Sequence, residues 1–194
     1  THQCCEDIAL MRSIPGMVVI NPSDDTEARA AVKAALDYNG PVYLRFGRLA
    51  APVFNDPASY RFEMGKGVTL REGKDLTIIA TGLMAWEALQ AAVVLAREGI
   101  SARVLNIHTI KPLDEALVCK AAAETGKILT VEEHSVIGGL GSAVCEAVSG
   151  KAPCVVKRIG VNDCFGCSGP APELLRRFGL TAEHIIEAAR HLAR

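Results

Sequence analysis

What this sequence lacks narrows its class before any motif is read. No apolar run approaches the roughly 18–20 residues that a membrane-spanning helix needs, so no membrane partner is expected. An excess of one charge is missing too: a formal net charge of −1 leaves no general basic footprint, which argues against nucleic acid as the main partner. The opening residues, Thr1-His2-Gln3-Cys4-Cys5-Glu6-Asp7, are polar and have no apolar core, so no signal peptide is expected there. They do not begin with Met, which points to a processed or truncated start. A disulfide framework is also missing. Seven cysteines is an odd number in a chain with a full apolar complement, and Cys119 and Cys145 fall among Val and Ala on helical patterns, where small buried thiols are common. A reducing, cytoplasmic setting fits this usage better.

What is present is an ordinary globular composition, 49% hydrophobic and 22% charged over 194 residues, enough for one large or two modest cores. Residues 2–11 read as a helix with Glu6 and Asp7 in its early turns, stopped by Pro15-Gly16. Met17-Val18-Val19-Ile20 is a short buried strand. Asn21-Pro22-Ser23-Asp24-Asp25 is a turn whose Ser or either Asp can cap a helix from Thr26 to Tyr38, with Glu27 adding capping-box chemistry. A strand from Pro41 to Phe46 ends at Gly47-Arg48. Between Leu49 and Gly73 the periodicity breaks, so a linker with short extended pieces is expected, and Gly67 to Arg71 starts a second domain, antiparallel to the rest.

A regular series follows: strand 76–80, helix 84–98, strand 102–107, helix 114–125, strand 128–131, helix 141–149, strand 154–159, and closing helices at 171–178 and 181–192. Asp114 and Thr181 look like caps, and Gly99 and Gly126 like helix exits. Such alternation predicts right-handed crossovers and a mostly parallel sheet. The first part, residues 1 to about 55, has only two strands and two helices, too little to stand alone. Its other half is expected from upstream sequence or a partner chain.

The stretch Val131 to Ala143, with Glu132-Glu133-His134 and the glycines 138, 139 and 141, has the strand–turn–helix layout of an anion or nucleotide site in a parallel sheet. It is not G-x-G-x-x-G, no acid sits at a suitable distance for a ribose, and it is not a Walker A loop. A packing and interface turn, tuned by Glu132 or His134, is the better reading. Three other features are candidates for chemistry. His2 precedes a helix start, where a neutral imidazole suits proton shuttling. Arg45 and Arg48 bracket a strand's carboxyl end, where a guanidinium can grip a phosphate or carboxylate; Tyr43 and Arg45 share a face, and Arg48 lies past the strand end. Cys164-Phe165-Gly166-Cys167 has redox or half-zinc spacing, for which a reduced loop pair is the simpler account. His108, His184 and His191 read as structural.

Thr1-His2-Gln3, the run from Glu6 to Met17, and Pro41 to Arg48 resemble the rear half of the pyrimidine-binding domain of transketolases. Asp75 to Gly82, Ile110 to Asp114, Thr130 to Gly141, and Phe165-Gly166 with Ser168-Gly169 resemble the transketolase carboxyl-terminal domain, in the family's order. Deoxyxylulose-phosphate synthases and the β subunits of 2-oxoacid dehydrogenases share these features. Gly47 ahead of Arg48 suits the transketolases encoded as two subunits.

The resemblance implies an α/β chain in two parts. The rear part of a thiamine-diphosphate pyrimidine-binding domain (1–55) and a linker (56–66) lead to a three-layer α/β/α carboxyl-terminal domain (67–194) with about five strands. It implies two-carbon ketol transfer between sugar phosphates, with a nearby donor for the growing alkoxide. His2 matches the histidine that assists proton transfer, Arg48 the arginine that grips the sugar phosphate, and Arg45 a weaker counterpart. No metal ligand is expected in this chain: thiamine diphosphate and Mg²⁺ would be bound mainly by regions absent here. The partner would be an amino-terminal transketolase domain or subunit, in a homodimer or heterotetramer, and the chain alone should be inactive. Cys167 stands where relatives commonly have Glu. The alternatives are a deoxyxylulose-phosphate synthase region, a non-catalytic docking and dimerisation module, and a thiol-redox or zinc module.

Overall fold

The computed structural model describes residues 4–48 and 50–194. Helix α1 (Asp7–Ser13), strand β1 (Val18–Ile20), helix α2 (Asp25–Asp37) and strand β2 (Val42–Leu44) form the first unit. β1 is all β-branched and buried along its whole length, as a strand covered on both faces must be. α2 starts where the capping chemistry says it should. The Asp24 carboxylate accepts the Glu27 amide at 2.9 Å, and the Glu27 carboxylate accepts the Ser23 amide at 2.6 Å.

The second unit runs β3 (Val68–Arg71), β4 (Leu76–Ala80), α3 (Met84–Arg97), β5 (Ala102–Asn106), β6 (Thr109–Lys111), α4 (Glu115–Thr125), β7 (Lys127–Ser135), α5 (Leu140–Lys151), β8 (Val155–Val161), α6 (Ala171–Arg177) and α7 (Ala182–Ala193). Its sheet has five strands in the order β3-β5-β4-β7-β8; β3 is antiparallel to β5 and the rest are parallel. Because successive residues of a strand face opposite sides, Ile78 and Leu129 join α3 and α7 in one core, while Ile79 and Ile128 join α4 and α5 in the other. This is the expected three-layer α/β/α domain with an antiparallel first strand. Asp114 caps α4 through the Leu117 amide at 3.1 Å, and Gly126 ends it at φ 66°, a conformation glycine adopts without steric cost.

Several expectations are corrected. β6, where no element is expected, pairs antiparallel with β1, so the first sheet has three strands in the order β2-β1-β6. A short buried strand needs partners on both edges, and the second unit supplies one of them. α1 starts at Asp7 and runs to Ser13, beyond the expected end at Met11. β8 starts one residue later and ends two later than expected. Thr181 precedes α7 but makes no side-chain cap; its hydroxyl meets Nδ1 of His184 instead. Most consequentially, β7 continues through Ser135, four residues past its expected end at Val131. Polar residues within a strand conceal its length when the periodicity of apolar residues is the only guide. Among the described residues no helix is long and apolar enough to cross a membrane.

Candidate functional site at the junction of the two sheets

The extension of β7 decides where its charged residues point. Alternation sends Glu132 and His134 to one side and Glu133 to the other. Glu132 is fully buried, and its carboxylate accepts the Leu140 amide at 2.7 Å and the Gly141 amide at 2.8 Å. These are first-turn amides of α5, which have no acceptor within the helix. The anion position that the strand–turn–helix layout suggests is therefore filled by the chain's own carboxylate. Burial pushes Glu132 up to about 7, against the pull of the Gly141 and Leu140 amides and of Arg12 and Arg158. The glycines are where they are for room: a Cβ on Gly139 would overlap Oε2 of Glu132, and one on Gly141 would stand 2.8 Å from Oγ1 of Thr130.

His134 is also fully buried. Its Nδ1 donates to the Ser135 carbonyl at 2.7 Å, and its Nε2 accepts the Ala9 amide at 3.3 Å. Those two partners assign the neutral Nδ1–H tautomer, in keeping with burial lowering its pKa. The Ser135 amide donates to the Cys5 carbonyl at 2.6 Å, and Arg12 donates to the carbonyls of Gly138 (2.6 Å) and Gly139 (3.2 Å). The β7–α5 turn thus grips α1 along its length, and the interface turn expected from the sequence is a joint within one chain.

On the opposite face, Arg45 bridges the two units. Its Nε donates to Oδ2 of Asp7 at 2.9 Å, its Nη2 to the Glu133 carbonyl at 2.8 Å, and its Nη1 lies 3.6 Å from Oε2 of Glu133. Tyr43 donates its hydroxyl to the same Asp7 oxygen at 2.8 Å, so the face shared by Tyr43 and Arg45 is realised. Burial, then the Asp7 carboxylate, pushes the Tyr43 hydroxyl up to about 12. Burial also raises Glu133, with Arg45 opposing it. Arg48 is exposed beyond the end of β2 and has no ion pair among the described residues. His2 lies outside the described residues.

A second buried polar cluster escaped sequence reading. Glu27 is fully buried and accepts from Nδ2 of Asn106 at 2.9 and 3.0 Å and from the Tyr60 hydroxyl. Asp24 accepts the amides of Phe54 (3.0 Å) and Asn55 (2.8 Å) as well as that of Glu27. Residues spread from 23 to 106 meet here, so no local spacing could announce it. His108 is buried against Phe62, with ring centroids 4.3 Å apart, and burial lowers its pKa. His184 and His191 are exposed on α7. Cys164 and Cys167 are free thiols in the loop before α6, and no group of three His, Cys, Asp or Glu among the described residues could hold a metal ion.

Comparison with known proteins agrees with this geometry. Residues 1–53 match the family model for the transketolase pyrimidine binding domain, and residues 65–185 match that for the transketolase C-terminal domain. The chain is 48% identical over 192 residues to a 6-deoxy-6-sulfo-D-fructose transketolase subunit, SqwH, of a Clostridium species, covering 99% of this chain and 59% of that protein. It is 44% identical over 189 residues to a subunit of the apulose-4-phosphate transketolase of Phocaeicola vulgatus, covering 97% of this chain and 60% of that one. It is 41% identical over 195 residues to 1-deoxy-D-xylulose-5-phosphate synthase of Heliobacterium modesticaldum, covering all of this chain but 30% of the synthase. Among solved structures, a split-gene transketolase, described as an inactive β4 tetramer, superposes with a TM-score of 0.93 at 46% identity, over 99% of this chain and 62% of that one. This chain thus spans about 60% of the length of the transketolase subunits it matches. With both domain models matched in order and the fold shared at this identity, the chain belongs to the transketolase family.

Proposed function

We propose that this chain is the carboxyl-terminal part of a thiamine-diphosphate-dependent transketolase and acts only with the amino-terminal domain or subunit, in a homodimer or heterotetramer. The observation that carries the reading is similarity over 97–99% of the chain to two proteins named as transketolase subunits. In this reading His2 serves the proton transfer at the donor sugar's carbonyl. Arg48, exposed and without an internal partner among the described residues, grips the sugar phosphate. Arg45 has all three guanidinium nitrogens engaged by Asp7 and Glu133, and so takes part by holding the end of β2 in place beside Arg48. Thiamine diphosphate, when bound, supplies the carbon nucleophile that takes up the two-carbon unit. In this reading Mg²⁺ and the diphosphate fall to the amino-terminal partner. The domain division at 1–55, 56–66 and 67–194 belongs to the same proposal.

The test is reconstitution. The chain, its amino-terminal counterpart, thiamine diphosphate and Mg²⁺ are mixed with a panel of ketose donors and aldose acceptors. The two subunit relatives are named for different sugars, so the panel holds xylulose 5-phosphate, a 6-deoxy-6-sulfoketose and apulose 4-phosphate. Ketol transfer to an aldose is expected. Product from pyruvate and glyceraldehyde 3-phosphate instead would favour the synthase reading, which the 41% identity to a synthase keeps alive. A correctly assembled complex with neither activity leaves only a docking role.

A further inference from the structure

The amino-terminal segment meets the second unit through one buried imidazole. Glu6, the residue at the N-cap of α1, makes no side-chain cap, so the first-turn amides of the helix look outside it for acceptors. Ala9 finds one on another element, in Nε2 of His134 at 3.3 Å. Between the two contacts that β7 makes, His134 to Ala9 and the Ser135 amide to the Cys5 carbonyl, the chain from residue 5 to residue 9 is pinned from one side. Behind His134, a Cβ on Gly138 would stand 2.6 Å from Cβ of Ala9, and one on Gly139 would stand 2.6 Å from Nδ1 of His134. The ring is walled in by close approaches of the turn, not merely buried by chance. Residue 2 lies three positions ahead of Cys5.

We propose that His134 is a positioning residue: as a neutral acceptor for the Ala9 amide it sets the start of α1, and through it the segment that carries His2. The inference rests on the proposed role of His2. It differs from the ion pairing of Arg45 in that the contact needs an unprotonated nitrogen. A proton on Nε2 would turn the acceptor into a donor facing an amide N–H, and the contact to Ala9 would be lost. The charged groups around the ring are Glu132 and Glu133 on its own strand, Glu6, Asp7 and Arg12 on or beside α1, and Arg45 at the end of β2. Burial and Arg45 oppose the imidazolium, while the Ser135 carbonyl, Asp7 and the Glu6 carbonyl favour it, and burial prevails; Oε2 of Glu132 lies 3.6 Å from Nδ1. The contact is therefore made at neutral pH and is lost on acidification.

Two variants and one direct measurement test this in the chain assembled with its amino-terminal counterpart. His134→Gln places an oxygen near the position of Nε2 and cannot titrate; His134→Leu fills the space without an acceptor. Amide hydrogen exchange at Ala9, read without substrate, should show protection in the parent and in His134→Gln, and loss of it in His134→Leu. In the parent, protection at Ala9 should fall on acidification below the ordinary imidazole value, once intrinsic exchange rates are accounted for; in His134→Gln it should not. In ketol transfer, His134→Leu should lower kcat about 10- to 100-fold, because a small displacement of a catalytic segment costs that much. KM for the aldose acceptor should move less than about 2-fold, since uniform binding is untouched. His134→Gln should recover most of kcat and flatten the acid limb of the pH profile. Equal Ala9 exchange in parent and His134→Leu, or equal kcat in the Leu and Gln variants, overturns the proposal. Because exchange is read without substrate, it tests the contact even if the parent complex transfers no ketol unit; in that outcome the role of His2 falls, and with it the catalytic half of this inference.

Discussion

A Cβ on Gly139 would overlap Oε2 of Glu132, whose two carboxylate oxygens are already held by the amides of Leu140 and Gly141. Gly139 is therefore irreplaceable for steric reasons, its φ of −83° being open to any residue. Gly139→Ala should destabilise the chain by about 1–3 kcal/mol, the usual cost of overpacking a buried position. Urea denaturation should read it as a lower midpoint at constant slope. The same substitution in a Glu132→Ala background should cost much less, since the two groups contend for one space, and a double-mutant cycle would measure that coupling.

Glu132 also sets a pH dependence. Its folded value of about 7 lies above the ordinary carboxylate value of 4.5, so the folded state binds the proton more tightly than the unfolded state. The resulting stability is full below pH 4.5 and is lost as pH rises through about 7. His134 works in the opposite sense. Its lowered pKa makes stability full above pH 6.5 and lost as pH falls through the folded value. Denaturant midpoints of the parent against Glu132→Gln should therefore diverge across pH 4.5–7, with the parent losing ground as pH rises. The Gln variant should keep the rise with pH that His134 and His108 contribute and the opposite, falling contribution of Glu133.

The Arg45–Asp7 pair is mostly enclosed, with side chains 12% and 8% exposed. Removing one partner of such a pair leaves the other buried and unmatched. Arg45→Met should cost about 3 kcal/mol, near the low end for buried pairs, and Arg45→Lys somewhat less because a lysine cannot reach both Asp7 and the Glu133 carbonyl. Thermal unfolding of the two variants would check the order.

Asp24 caps α2 and also holds the amides of Phe54 and Asn55. Asp24→Ala should cost about 2–3 kcal/mol, more than a cap alone, because three amides lose their acceptor. Asp24→Asn should recover part of that. Hydrogen exchange at residues 54 and 55 should quicken in the Ala variant.

Arg48→Ala should raise KM for a phosphorylated donor about 10- to 100-fold with kcat little changed, and should leave the fold's stability within about 0.5 kcal/mol. A fall in kcat with KM unchanged would assign Arg48 to some other task.

How much of the molecule is legible in one dimension depends on whether the governing interactions are local. The Leu76–Ala80 strand, the α4 start at Asp114 and the capping turn ahead of α2 are readable because apolar periodicity and capping act within a few residues. β7 reads as ending at Val131 because Glu132, Glu133 and His134 look like a loop in one dimension; partners on β8, α1 and α5, remote or across a turn, give them a place in a strand. β6 is invisible for the same reason, being three residues paired with β1 from the other unit.

The sequence by itself determined the α/β class, the order of elements and the resemblance to transketolases, since those follow from periodicity, capping chemistry and ordered motifs. Only the tertiary structure decided that the acidic, glycine-rich stretch is a joint filled by its own carboxylate, and that His134 accepts from Ala9 across 125 positions of chain. Buried hydrogen bonds and ion pairs between remote residues depend on how the two sheets dock, and no pattern along the chain encodes that distance.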